Sequence, residues 1–128
     1  MKNIVFVCIQ NSCRSQMAEA FARMHEVEGV RAYSAGSAPS GQVNPKAIAA
    51  MNELGYDLSN HRSKSLDDLP DIEFDAAITM GCGDSCPNLQ ARLREDWNIR
   101  DPKDMEPGEF AEVRDMISVR VRELLARL

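Results

Sequence analysis

The chain has 128 residues, 44% hydrophobic and 27% charged, which is ordinary for a globular protein and leaves no apolar run long enough for a membrane span. Its net charge of −5, from 20 acidic against 15 basic residues, argues against a nucleic-acid backbone as partner. One domain over residues 1–128 is expected, in the cytoplasm, where four cysteines without a recognisable export signal point to catalytic, redox or metal chemistry and away from a disulfide framework.

Ile4-Val5-Phe6-Val7 reads as a buried strand, and Met17, Ala20, Phe21, Met24 and Val27 recur at helical spacing, predicting a helix from about Ser15 to Glu28. Gly29 ends that pattern, Val30 to Tyr33 reads as a second strand, and Ser34-Ala35-Gly36 leads into a turn-rich stretch up to Val43. Asn44 suits a helix N-cap and Pro45 the first helical position, with Ile48, Met51 and Leu54 as the buried face and Gly55 as the end. A helical turn fits Leu66 to Leu69, and Phe74 to Met80 reads as the third strand. The remaining elements are a short helix from about Asn88 to Glu95 with Leu89 and Leu93 on one face, a fourth strand at Trp97-Asn98-Ile99, and a last helix. That helix would bury Phe110, Val113, Ile117, Val121, Leu124 and Leu128. Strands alternating with helices imply a three-layer α/β/α fold around a four-stranded parallel sheet.

The stretch Cys8-Ile9-Gln10-Asn11-Ser12-Cys13-Arg14-Ser15 joins the first strand to the first helix. A loop there opens on unpaired helix N–H groups and the positive end of the helix dipole, so it favours a tetrahedral oxyanion. Cys8 at its base is expected to have a lowered pKa and to act as a nucleophilic thiolate. Arg14 offers a planar fork of donors to the oxyanion, Ser15 a hydroxyl to the sulfur, and Asn11 a brace for the loop. Cys13 reads as a small packed residue.

In a doubly wound sheet, ligands bind beyond the carboxyl ends of the strands, so Cys8, Cys82 and Asp101 should project over one edge. Asp101, before Pro102, is a candidate general acid for a departing oxygen. Cys82 and Cys86, separated by three residues, are close enough to exchange a disulfide. A zinc site built from Cys8, Cys13, Cys82 and Cys86 is the competing reading of the same thiols. His25 and His61 read as surface or cap residues, the methionines as core, and Trp97 as a packing anchor. Arg114, Arg120, Arg122, Glu123 and Arg127 read as the solvated face of the last helix.

These residues resemble the low-molecular-weight protein tyrosine phosphatase superfamily, of flavodoxin-like topology, and within it the thioredoxin-coupled arsenate reductases. The likeness rests on Cys8 to Ser15, Ser34-Ala35-Gly36, Val43-Asn44-Pro45 and Asp101-Pro102, and the additional thiols Cys82 and Cys86 separate reductase from phosphatase. It implies that Ile9, Gln10, Asn11, Ser12, Cys13, Arg14 and Ser15 bind arsenate and that Cys8 attacks its arsenic, while Arg14 stabilises the oxygens and Asp101 assists departure of water. Cys82 would then attack the Cys8 sulfur and release arsenite, and Cys86 would resolve that disulfide for reduction by thioredoxin. The scheme calls for no metal or organic cofactor and implies a monomer that engages neither membrane nor nucleic acid.

The gap between Cys82 and Cys86 is shorter than in the best-known members, and relatives with a similar Gly-Cys-Gly-Asp-x-Cys-Pro stretch use a low-molecular-weight thiol such as mycothiol. A mycothiol- or glutaredoxin-linked reductase, and a phosphatase using Cys8, Arg14 and Asp101, are therefore the alternatives. Lys103, Asp104 and Met105 follow the Asp-Pro pair where phosphatases carry aromatic residues, which favours a small inorganic substrate. Lys64 follows His61-Arg62-Ser63 where some members place a potassium-binding carboxylate, so a fixed ammonium is expected to replace the ion. Gln10 stands where several relatives have Gly.

Overall fold

The computed structural model describes residues 1–25, 27–81 and 89–128. Four parallel strands, β1 (Lys2–Cys8), β2 (Val30–Gly36), β3 (Phe74–Thr79) and β4 (Ala91–Asp96), lie in the order β2-β1-β3-β4. Three helices, α1 (Arg14–Met24), α2 (Pro45–Asn52) and α3 (Pro107–Arg127), and two 3₁₀ turns (Leu58–Asn60 and Leu66–Asp68) complete the described elements. Alternation along β1 divides the core. Ile4, Phe6 and Cys8 face the helices, whereas Val5 and Val7 pack with Phe74 and Ala77 beneath Leu66, Leu69 and Leu89 on the other face. None of the described helices is long and apolar enough to cross a membrane.

The α2 start forms as its sequence predicts: the Asn44 side chain accepts from Lys46 N–H at 2.8 Å with Pro45 at the first helical position. Its buried face is Ala47, Ala50 and Met51, with Ile48 half-buried. The helix stops at Asn52, which carries Leu54 off the stripe and leaves it 42% exposed. Helix α1 ends at Met24, short of Glu28, and both Met24 and Val27 are exposed. The α3 stripe forms from Phe110 to Leu124, with Leu125 buried as well and Leu128 half-buried.

The largest departure lies at β4. Leu89 and Leu93 are four apart and fit a helix, but they equally fit the alternation Leu89, Ala91, Leu93, Glu95 of a strand, and two leucines cannot decide between the periods. Ala91, Leu93 and Glu95 are half-buried, whereas Arg92, Arg94 and Asp96 point to solvent, as suits an edge strand. The expected strand at Trp97–Ile99 therefore lies just beyond the ladder. The Trp97 N–H still donates to Thr79 O at 2.8 Å before the Ile99 N–H turns back to Trp97 O, and the Trp97 ring anchors against Phe6 at 5.9 Å.

Arg114 is also not on a solvated face. Its guanidinium, 9% exposed, donates to the Ala50 carbonyl at 2.9 Å and to the Glu53 carboxylate at 2.7 Å, so it satisfies one carbonyl that the C-terminal end of α2 leaves open.

Candidate active site

β1 delivers Cys8 to the carboxyl edge of the sheet, and the loop that follows turns directly into α1. The loop turns on Asn11, which adopts φ +49°, a left-handed conformation that Asn tolerates better than most residues. It is the only described non-glycine residue with positive φ, so Gln10 sits in its loop position without the strain that a Gly-only conformation would impose. Gln10 is exposed, and its carbonyl accepts from Ser40 N–H and the Ser63 hydroxyl. The loop passes so close to Gly36 that a Cβ there would stand 2.5 Å from Ile9 O and 2.9 Å from Asn11 N.

A directed chain of hydrogen bonds reaches the nucleophile. Gln16 Nε2 faces three carbonyl oxygens, Asn11 Oδ1 at 2.8 Å, Asn11 O at 3.1 Å and Arg62 O at 2.8 Å, which leaves Gln16 Oε1 to accept from His61 Nδ1 at 3.0 Å. His61 Nε2 then accepts from the Tyr56 hydroxyl at 2.6 Å. Asn11 Nδ2 donates to Ser15 Oγ at 2.8 Å, and Ser15 Oγ lies 2.8 Å from Cys8 Sγ, where its proton serves the thiolate form of Cys8. Burial lowers the pKa of His61, with Arg23 and Lys64 acting in the same sense against Glu19, so the neutral ring required by this pattern is the favoured form. His61 is thus no surface residue: its side chain is 7% exposed. Neither His61 nor Gln16 nor Tyr56 carried a sequence signal beyond the His-x-Ser segment.

Cys8, Ile9, Gln10, Ser12, Cys13, Arg14 and Asp101 line a cavity of about 20 Å³. The Arg14 guanidinium is fixed by donation from Nη1 to the Ile99 carbonyl at 2.8 Å, and its Nη2 lies 3.8 Å from Asp101 Oδ2. Gly81, with φ +78°, leaves room for it: a Cβ there would stand 2.8 Å from Arg14 Nη1. Asp101, 40% exposed, stands at the rim, five residues past the end of β4 instead of two past a strand at Ile99. Its Oδ1 accepts from Lys103 N–H at 3.1 Å.

Cys13 is buried and packed, as expected. Desolvation pushes its thiol up to about 11, with the nearby Asp101 and Cys8 in the same sense outweighing Ser12 and Arg14, so it remains protonated at neutral pH. Cys82 and Cys86 lie outside the described residues. Among the described residues, no three His, Cys, Asp or Glu side chains gather as a metal-binding group.

Known proteins resemble the chain over nearly its whole length. Residues 3–128 match the family model of low molecular weight phosphotyrosine protein phosphatase. The chain is 41% identical to an arsenate reductase of Staphylococcus aureus (strain bovine RF122 / ET3-1), with 98% of each chain covered. It superimposes on a solved arsenate reductase in the phosphate binding state with a TM-score of 0.90 at 37% identity, over 99% of this chain and 98% of that one. A Corynebacterium glutamicum thioredoxin-dependent arsenate reductase aligns at 30% identity and TM-score 0.80, over 99% of this chain and 61% of that one. A family match across nearly the whole length, together with this identity to a curated relative, makes the chain a member of the low molecular weight phosphotyrosine protein phosphatase family.

Proposed function

We propose that the chain is a cytoplasmic arsenate reductase, acting as a monomer, in which Cys8 forms the covalent adduct and thioredoxin supplies the electrons. The observation that carries this reading is Cys8, whose Sγ is 2.8 Å from the Ser15 hydroxyl, in a cavity that Arg14 and Asp101 also line. The names of the relatives favour arsenate as substrate over a phosphate ester.

In the first step a sulfur–arsenic bond forms as an arsenic–oxygen bond breaks. Asp101 supplies the proton with which that oxygen leaves as water, while Arg14 and the loop N–H groups bind the remaining oxygens. Cys82, which directly follows Gly81 in sequence, then attacks Cys8 Sγ. The sulfur–arsenic electron pair passes to arsenic, which leaves as arsenite, and the two sulfurs are left as a disulfide. Attack by Cys86 on Cys82 frees Cys8 and transfers the disulfide to the Cys82–Cys86 pair for reduction by thioredoxin. Each step is thiol chemistry and requires no metal or organic cofactor.

NADPH consumption with arsenate, thioredoxin and thioredoxin reductase tests this, comparing the native chain with Cys8→Ser and Cys86→Ser. Loss of turnover in both variants supports the full relay. Turnover surviving Cys86→Ser moves the resolving step to Cys13 or to an external thiol, and a native chain inert with thioredoxin, mycothiol and glutaredoxin alike rejects arsenate reduction. Hydrolysis of a phosphate ester by that inert chain would then favour a phosphatase using Cys8, Arg14 and Asp101.

A further inference from the structure

The loop bearing Asp101 is bonded from two directions. On one side Arg14 Nη2 approaches Asp101 Oδ2 at 3.8 Å. On the other, Lys46 Nζ donates to the Lys103 carbonyl at 2.9 Å and to the Met105 carbonyl at 3.1 Å. Among the described residues, these are the two side chains from outside residues 101–105 that bond them. Lys103 is the link. Its carbonyl is held by Lys46, and its N–H donates to Asp101 Oδ1 at 3.1 Å, so the residue that aims the carboxylate is itself tethered.

Lys46 is placed for this by the α2 start. Asn44 Oδ1 accepts from Lys46 N–H at 2.8 Å, and the Asn44 N–H donates to Ser12 O at 3.0 Å within the anion loop. A single helical turn therefore bonds both the loop that carries the nucleophile and the loop that carries the acid. Lys46 has no carboxylate within ion-pair reach among the described residues and does not line the Cys8 cavity. Its ammonium is committed to main-chain carbonyls of the acid loop. Pro102 is buried and Met105 packs partly on the core, whereas Lys103 between them is exposed, so its main chain relies on the Lys46 bond more than on packing.

We propose that Lys46 is a positioning residue for proton donation by Asp101. The proposal rests on the reading of Asp101 as the acid for the departing oxygen. Lys46 fixes Lys103, and Lys103 fixes the carboxylate over the cavity. Removing the ammonium frees the turn and lowers the fraction of molecules in which the acid is aimed, with the oxyanion loop left as it is.

The test measures single-turnover rates with arsenate for Lys46→Met and Lys46→Arg, each alone and combined with Asp101→Asn. Lys46→Met is expected to slow the saturated rate about fivefold, the scale of losing about one ordinary hydrogen bond as suits an exposed ammonium, with little change in the half-saturating arsenate concentration. Lys46→Arg, which keeps a charged donor, restores most of the rate. In the Asp101→Asn background Lys46→Met has no further effect. An unchanged rate in Lys46→Met, or the same fold-loss with and without Asp101, overturns the proposal. So does a rise in half-saturating arsenate at constant rate, because that would mark a charge acting on the substrate. A native rate in Asp101→Asn alone overturns the acid reading instead. If Lys46→Met fails to fold, Lys46→Gln carries the same comparison.

Discussion

The Ser15 hydroxyl joins the loop brace to the nucleophile. Asn11 Nδ2 occupies one of its lone pairs, and its proton is available to a Cys8 thiolate at 2.8 Å. Five residues from Cys8 in the same loop, Cys13 has only a long contact from the Ser12 hydroxyl at 3.9 Å, and burial pushes its thiol up to about 11. Burial favours the neutral form of a thiol, so Cys13 becomes nucleophilic only as pH approaches that value. Peptide mapping of the native protein after iodoacetamide at about pH 8 is expected to find Cys13 unmodified, with labelling appearing only above about pH 10. Labelling at neutral pH would contradict its assignment as a packed thiol. The spacing of Cys8, Arg14 and Ser15 made this loop readable from sequence. The close approach of Gly36 was not readable, because it depends on a neighbouring strand. Gly36→Ala would drive a methyl group into Ile9 O and Asn11 N. It should cost about 1–3 kcal/mol in stability by overpacking and should lower arsenate turnover far more than a matched Gly108→Ala, where φ is not positive and a Cβ has open space.

Elements were legible where two independent signals agreed. At α2 the Asn-Pro start and the apolar spacing of Ile48 and Met51 coincide, and the helix begins where they place it, although Leu54 falls beyond its end. At residues 91–96 only two leucines spoke, and their spacing served helix and strand alike. What holds this edge strand against the rest of the molecule includes a contact that no local pattern encodes: Glu95 accepts from Arg127 Nη1 at 2.6 Å and Nη2 at 3.0 Å at the far end of α3, and from Trp97 Nε1 at 3.0 Å. These bonds, those to Arg127 foremost, hold the Glu95 carboxyl at about 2 against an ordinary 4.5. A depressed folded-state value means that the stabilisation is complete above about pH 4.5 and is lost as pH falls through about 2. Glu95→Gln should therefore lower Tm by a few degrees at neutral pH, with the difference from the native chain closing across that acidic window. A Tm difference that persisted unchanged at about pH 2 would show that Glu95 acts through packing and not through its charge.

At the scale of the whole molecule, a buried charge joins α1, β2 and the segment that leads into the Leu66 turn. Glu19 is 3% exposed and has Arg23 at 2.6 Å, Lys64 at 3.5 Å and the Ser34 hydroxyl as a donor. The same segment supplies Lys64 N–H to Asn11 Oδ1 at 2.8 Å, so the cluster backs directly onto the loop that shapes the nucleophile. Sequence reasoning placed an ammonium here from the residue after His61-Arg62-Ser63, but it could not identify Glu19 as the partner, because Glu19 lies on a helix face that its charge alone would assign to solvent. With two cations on one buried carboxylate, a third positive charge would gain little, and Asn11 is expected to be held in place without a bound monovalent ion. Arsenate turnover should therefore be the same in potassium, sodium and choline chloride at equal ionic strength. Lys64→Met leaves Glu19 with Arg23 as its single full charge partner, and it should cost about 1–2 kcal/mol, tempered by the partial exposure of Lys64. In that variant potassium should recover part of the lost Tm where choline does not. A native chain that loses activity when potassium is withdrawn would show that the Lys64 ammonium does not replace the ion, and that the hydrogen-bond chain from Asn11 to Cys8 depends on a cation from solution.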